Sequence, residues 1–259
     1  MEITKIVRFM RLLKAISELS QINRSKTLAL VPTMGALHQG HLSLVELAKK
    51  NAQLVCVSIF VNPLQFSQGE DFTKYPRTLD RDLEKLQVYN PDFVWAPSVE
   101  EMYPSPPALL QANKELADCL CGLARPGFFD GVVTVVNALF EQIKPTSAIF
   151  GEKDFQQLLI IKSMVQERNL PVEIISAPII REESGLAMSS RNQYLSDSEK
   201  ILAANIYKEL TAIKTSNTSI DSAGKRLTEL GFKIDYLEKR WGRVFFAGKI
   251  GTTRLIDNL

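Results

Sequence analysis

The strongest constraint on the fold is a strand–loop–helix–strand succession near the N-terminus. Thr27–Pro32 (TLALVP) is an apolar run, Gly35 and Gly40 interrupt it, and apolar residues return at helical spacing between His41 and Lys50. Leu54–Val61 is then a second continuous, β-branched run. Unbroken apolar strands are characteristic of parallel sheets covered on both faces. Parallel neighbours need a crossover, which the helix supplies, so the pattern predicts a βαβ unit. The alternation continues with a helix over Asp80–Val88, a strand at Asp92–Trp95, a long apolar helix over Gly131–Ile143 and a strand at Ala148–Phe150. A helix over Asp154–Arg168 and a strand at Val172–Ala177 complete it. This predicts an α/β fold with a doubly wound parallel sheet, spanning 1–194.

After Arg191 the texture changes. Ser196–Glu199 reads as a helix start leading into Ile201–Ile213, and a second helix ends at Leu230. Phe232–Leu237 and Arg243–Ala247 read as strands, with Thr253–Asp257 a candidate third, which predicts a small C-terminal α+β domain over 195–259. At the other end Ile3, Ile6, Val7, Met10, Leu13 and Ile16 recur at three- and four-residue steps. That predicts an amphipathic helix over Met1–Leu19 and not a signal peptide.

Charge narrows the class of partner. The 259 residues carry 31 Lys plus Arg against 29 Asp plus Glu, a net charge of +2. A nucleic-acid binder needs a basic stripe to displace counterions, so this balance argues against one while leaving room for a small anionic substrate. No apolar run approaches the about 18 residues of a membrane span. Cys56, Cys119 and Cys121 cannot all pair, which fits reduced thiols in a cytoplasmic protein.

Four loops carry the candidate chemistry. Pro32–His41 (PTMGALHQGH) joins the first strand to its helix and contains both histidines of the chain, His38 and His41. The carboxyl end of such a strand, facing a helix N-terminus, is where α/β sheets bind anions. The alternatives are that the pair caps the helix or, less favoured because no third ligand stands nearby, begins a metal site. Phe150–Gln157 (FGEKDFQQ) places Lys153 and Asp154 at another helix start, with Gln157 on the same face as Asp154. Gly185–Asn192 (GLAMSSRN) offers Ser189, Ser190 and Arg191 to phosphate oxygens, or is a linker between domains. Phe60–Phe66 (FVNPLQF) offers the amides of Asn62 and Gln65, or is a turn set by Asn-Pro.

PTMGALHQGHLSL, FVNPLQF, KYPR, DGVVTVV, FGEKDFQQL, REESGLAMSSRNQYL and TTRLIDN occur in this order over nearly the whole chain. Together they resemble the pantoate–β-alanine ligase family. The HxGH and MSSR loops also resemble the signature loops of the HIGH-type nucleotidyltransferase superfamily, which binds ATP on a Rossmann-like domain. The resemblance implies an ATP- and Mg²⁺-dependent ligase that joins pantoate to β-alanine through a pantoyl adenylate, releasing pyrophosphate and AMP. It implies an ATP site at Met34, Gly35, Ala36, Leu37, His38, Gln39, Gly40 and His41, at Gly151, Glu152, Lys153 and Asp154, at Ile180, and at Met188, Ser189, Ser190 and Arg191. Catalytic roles fall to His38, His41, Lys153, Ser189, Ser190 and Arg191, and pantoate and β-alanine to Gln65, Gln157 and Asn62, with Tyr75 and Arg77 in similar segments. No resident metal site, nucleic acid or membrane is implied, and a homodimer is. Closure of Gly185–Arg191 and the C-terminal domain over the adenylate is expected, to exclude water. The chain departs from the family at Phe128, where a histidine is common. A superfamily enzyme that stops at a nucleotide-linked product, and a silent nucleotide-binding module, are the rival readings.

Overall fold

A computed structural model of the chain describes residues 10–66 and 72–259. Six strands form a parallel sheet: β1 (Arg11–Leu13), β2 (Leu28–Thr33), β3 (Leu54–Ile59), β4 (Phe93–Trp95), β5 (Ser147–Gly151) and β6 (Glu173–Ala177), in the order β1-β4-β3-β2-β5-β6. Helix α1 (Gln39–Asn51) links β2 to β3, and α2 (Leu79–Tyr89) precedes β4. Three short helices, α3 (Val99–Met102), α4 (Lys114–Ala117) and α5 (Leu120–Ala124), lead to the long α6 (Phe128–Ile143), and α7 (Phe155–Glu167) links β5 to β6. The period-two alternation of strands sorts the core. Leu30, Leu54, Cys56 and Trp95 pack with α6 and α7, whereas Ala29, Val31, Val57 and Val94 pack with α1 and α2. This is a Rossmann-like, doubly wound α/β sheet.

The chain order reverses between β2 and β5, and there the ladder is short. Ala29 pairs with Ser147 and Leu30 with Ala148, after which the two strands run on to Thr33 and Gly151 without pairing to each other. A crevice therefore opens between their carboxyl ends, at the topological switch point.

The helix expected over Met1–Leu19 is corrected where the chain is described; residues 1–9 lie outside the described residues. Arg11–Leu13 pairs with Phe93–Trp95 as an edge strand, and Leu13 is buried against the sheet. The Glu18 carboxylate then accepts the N–H groups of Lys14 (2.7 Å) and Ala15 (2.9 Å), closing a 3₁₀ turn over Ile16–Gln21. Strand pairing and this local cap win over the helical spacing.

The C-terminal residues form α8 (Asp197–Ala203), α9 (Asn205–Lys214) and α10 (Ile220–Glu229). They pack on an antiparallel sheet of β7 (Lys233–Arg240), β8 (Arg243–Ile250) and β9 (Thr253–Asn258). This layer has its own core, in which Ile206, Leu210 and Leu227 meet Phe246 and Leu255. The single helix expected over Ile201–Ile213 is divided at Ala204, and its start is a capping box between Ser196 and Glu199. The candidate third strand is present as β9.

One close approach ties the long helix to the rim of the crevice. A Cβ on Gly131 of α6 would lie 2.2 Å from the Leu64 carbonyl oxygen. Gly131→Ala should therefore lower stability by about 1–3 kcal/mol, read as a lower urea midpoint at unchanged m-value. An unaltered midpoint would mean that helix and loop are not in contact.

Candidate active site

The crevice is the mouth of a cavity of about 690 Å³, within the roughly 300–1,000 Å³ usual for small-molecule sites. Loops from β2, β3 and β5 and the segment after β6 converge on it.

The β2 loop is held from behind. Asp82 of α2 is fully buried and its carboxylate accepts the backbone N–H groups of Ala36 (2.9 Å) and Leu37 (2.7 Å), with the Thr78 hydroxyl at 3.1 Å. Lys85, one turn on, donates to the Leu37 carbonyl at 2.6 Å. Gly35, Ala36 and Leu37 thus face α2 and do not line the cavity, while Gln39 is exposed and bonds the Tyr89 hydroxyl at 3.0 Å. Asp82 lies four residues before the buried Leu86, a charge on the apolar face of α2. That anomaly is the signal by which the sequence could have disclosed it.

His38 and His41 both line the cavity, their ring centroids 4.1 Å apart. His38 is also the N-cap of α1, so the capping and cavity readings are both realised. Its Nδ1 accepts the Gly40 N–H at 3.1 Å, and the His41 Nδ1 accepts the His38 N–H at 3.4 Å. With both Nδ1 atoms accepting, each neutral ring carries its proton on Nε2. Loss of surrounding water, then the Lys153 charge, pulls His38 down from 6.5 to about 4. Desolvation, then His38 and Lys153, pulls His41 down to about 3. The pair is neutral at physiological pH. Gly40 fits because a Cβ there would stand 2.9 Å from the His38 ring.

At the end of β5, Gly151, Lys153 and Asp154 line the cavity from a 3₁₀ turn that opens α7, and Gln157 joins them one turn later. Glu152 does not; its carboxylate takes Arg243 of β8 at 2.5 Å. Ile180 and Met188 face the cavity from a hairpin closed by the Met188 N–H on the Ile180 carbonyl (3.0 Å) and the Arg181–Ala187 bridge. Asn192, buried, braces it by donating to the Glu182 carboxylate (2.8 Å) and the Ala187 carbonyl (3.1 Å). Ser189, Ser190 and Arg191 follow on the cavity wall, where the Tyr75 hydroxyl lies 3.3 Å from Ser190 Oγ. Arg77 is exposed and holds the Phe72 and Tyr75 carbonyls, outside the cavity wall.

Of the two amides after β3, Gln65 lines the cavity and Asn62 lies beneath it. Asn62 donates to Gln65 Oε1 (3.1 Å) and the Gly131 carbonyl (3.0 Å) and accepts from the Tyr103 hydroxyl (2.9 Å). Its contact with the site is thus through Gln65, whose amide nitrogen is turned to the Met34 sulfur at 3.0 Å. Sequence reasoning missed Arg125, which lines the cavity, donates to the Gln65 carbonyl at 3.2 Å and stacks 3.7 Å from the Phe128 ring centroid. The departure at Phe128 thus gives this guanidinium a π-face to rest on.

Against known proteins, the family model described as pantoate-beta-alanine ligase matches residues 5–259. Pantothenate synthetase of Acinetobacter baylyi is 47% identical over 254 residues, 90% of each chain. That of Fervidobacterium nodosum is 45% identical over 276 residues, covering 96% of this chain and 99% of its own. Among solved structures, pantothenate synthetase from Thermus thermophilus superposes with a TM-score of 0.88 at 40% identity, covering 96% and 99% of the two chains. Pantoate-beta-alanine ligase from Francisella tularensis, complexed with beta-gamma ATP and beta-alanine, also gives 0.88, at 36% identity and 96% and 97% coverage.

The histidine geometry makes a pH prediction. A folded-state pKa held below 6.5 favours the neutral ring, so its stabilising contribution is complete above 6.5 and is lost as pH falls toward about 4 and then about 3. Imidazole ¹⁵N spectra should show Nε2–H tautomers at neutral pH and midpoints near those two values. A midpoint at 6.5 for either ring would contradict the arrangement.

Proposed function

The chain belongs to the pantoate–β-alanine ligase family, and from that membership we propose how its cavity carries out the reaction. It is an ATP-dependent ligase that condenses pantoate with β-alanine to pantothenate, converting ATP to AMP and pyrophosphate. The observation that best supports this assignment of roles is the convergence of the His38–His41, Lys153–Asp154 and Ser189–Arg191 loops on one cavity at the switch point of the sheet.

In the first step a pantoate carboxylate oxygen attacks the α-phosphorus of ATP, the bond to the β-phosphate oxygen breaks, and pyrophosphate leaves. Negative charge moves onto the phosphoryl and departing oxygens. The Nε2–H groups of His38 and His41, the Lys153 ammonium and the Arg191 guanidinium stabilise it, with the Ser189 and Ser190 hydroxyls donating at the same wall. Because both histidines are neutral and their Nδ1 atoms engaged, they act as fixed hydrogen-bond donors and not as imidazolium acids. In the second step the β-alanine amine attacks the acyl carbon, the C–O bond to the phosphate breaks, AMP departs, and the amine nitrogen loses a proton. Gln65, oriented by Asn62, and Gln157 hold pantoate between the histidines and α7.

Among the described residues no group of three His, Cys, Asp or Glu side chains is placed to hold a metal. The site fits a Mg²⁺ carried on the ATP phosphates: Asp154, a carboxylate of the cavity wall, would help hold it, and the ion would supply neutralisation of phosphate charge. We also infer a division of the chain into 1–194 and 195–259, a homodimer, and a cytoplasmic location in which Cys56, Cys119 and Cys121 stay reduced. Among the described residues no helix is long and apolar enough to cross a membrane.

AMP release should require both pantoate and β-alanine, and His38→Ala should lower the rate by about 10²–10³ through loss of one donor. The wild-type pH–rate profile should show no inflection at 6.5 from either ring. Pyrophosphate release without amine-dependent AMP would instead indicate a nucleotidyltransferase.

A further inference from the structure

Two loops that face the ATP cavity are tied to the same two consecutive residues at the end of β9. Asn258 is 1% exposed and spends both amide protons on the phosphate-side turn, donating from Nδ2 to the Glu152 and Lys153 carbonyls, each at 2.9 Å. Its Oδ1 accepts from Arg243 at 2.8 Å, and the same guanidinium reaches the Glu152 carboxylate and lies 4.2 Å from the Phe155 ring centroid. In trans peptides N–H and C=O point opposite ways. Holding these two carbonyls therefore turns the Lys153 and Asp154 N–H groups away from β9.

Asp257, 4% exposed, grips the other loop. Its carboxylate takes both Nη atoms of Arg181, at 2.6 and 2.9 Å. Arg181 sits at the base of the hairpin that delivers Met188–Arg191, donates to the Gly185 carbonyl at 3.0 Å and stacks 4.0 Å from the Tyr207 ring centroid of α9. The two grips are themselves joined, since the Asn258 N–H donates to Asp257 Oδ1 at 2.8 Å. A continuous series of polar contacts thus runs from Lys153 by way of β9 to Arg181, at the base of the hairpin that delivers Met188–Arg191, although the loops belong to distant parts of the sequence.

We propose that Asp257 and Asn258 are positioning residues for ATP, holding the Glu152–Asp154 turn and the Met188–Arg191 segment at one fixed separation across the nucleotide phosphates. The proposal rests on the ligase reading. It implies that the C-terminal sheet acts on the reaction by setting the register of two loops that its own strands do not contain.

The test compares Asn258→Ala, Asn258→Asp and Asp257→Asn with wild type by kcat, the KM of each substrate and the thermal midpoint. Losing either grip should raise KM for ATP about tenfold or more, while KM for pantoate and β-alanine stays within about twofold. Asn258→Asp, which points an acceptor at two carbonyls, should be at least as impaired as Asn258→Ala, and Asn258→Ser, which keeps one donor, should fall between Ala and wild type.

Glu209→Gln is the control for stability alone. Glu209 pairs with Arg226 at 2.6 Å between α9 and α10, and neither residue lines the cavity. Its loss should lower the thermal midpoint without moving KM for ATP. If Asn258→Ala does not fold, the nearly isosteric Asp257→Asn decides the matter. An unchanged KM for ATP, or all three KM values rising together with the fall in midpoint, overturns the proposal. Wild-type protein that releases no AMP overturns the ligase reading instead, so the two failures are distinct.

Discussion

Everything at the site depends on the early parting of β2 and β5. Two residue pairs hold the strands together, and beyond them each is paired only on its far side, β2 with β3 and β5 with β6. The loops that follow the parted strands are held separately: on one side by α2 reaching under the Ala36–Leu37 backbone, on the other by the Asn258 amide on the Glu152 and Lys153 carbonyls. What the separation creates is a slot between two helix N-termini, α1 and α7, whose dipoles favour an anion. Had the ladder continued to Thr33 and Gly151, the same residues would have made a closed sheet edge with no room for a nucleotide.

Within that slot the electrostatics are asymmetric. Lys153 and Arg191 bring charge, whereas the two histidines are kept uncharged by desolvation and by the cation beside them. Protonating either ring would place hydrogen on an Nδ1 that already accepts a backbone N–H. The capping bonds and the tautomer therefore enforce one another. A pair that looks from its spacing like a metal site or an acid–base couple becomes two rigid dipoles with their hydrogens on Nε2.

Much of this was legible in the sequence because parallel strands and their loops are local signals. Continuous apolar runs mark β2 and β3, and the glycines and polar residues after them mark the site. The helix read at the N-terminus failed for the opposite reason: its apolar spacing is genuine, but Leu13 is claimed by an edge pairing with Trp95, a residue far along the chain. Asp82 and Arg125 left little or no trace, and Asp257 and Asn258 appeared only as the end of the TTRLIDN segment with no role attached, for the same reason. Each acts on backbone or side chains remote in sequence, and nothing in the residues beside them announces the partner. Asn62 was visible, yet its place beneath Gln65 is set by Tyr103 and Gly131, and no local pattern encodes that.

The Asp82 carboxylate has a consequence for how substrate meets the loop. Two backbone N–H groups, which in many nucleotide-binding turns are left for a phosphate, are already occupied by an internal anion. The turn carries its own permanent counter-ligand and needs none from outside to take shape. Ordering entropy that a floppy loop would surrender at each encounter was surrendered once, when the chain folded. ATP then arrives at a surface that is already set, and its contacts go into holding the phosphates and not into building the place that holds them.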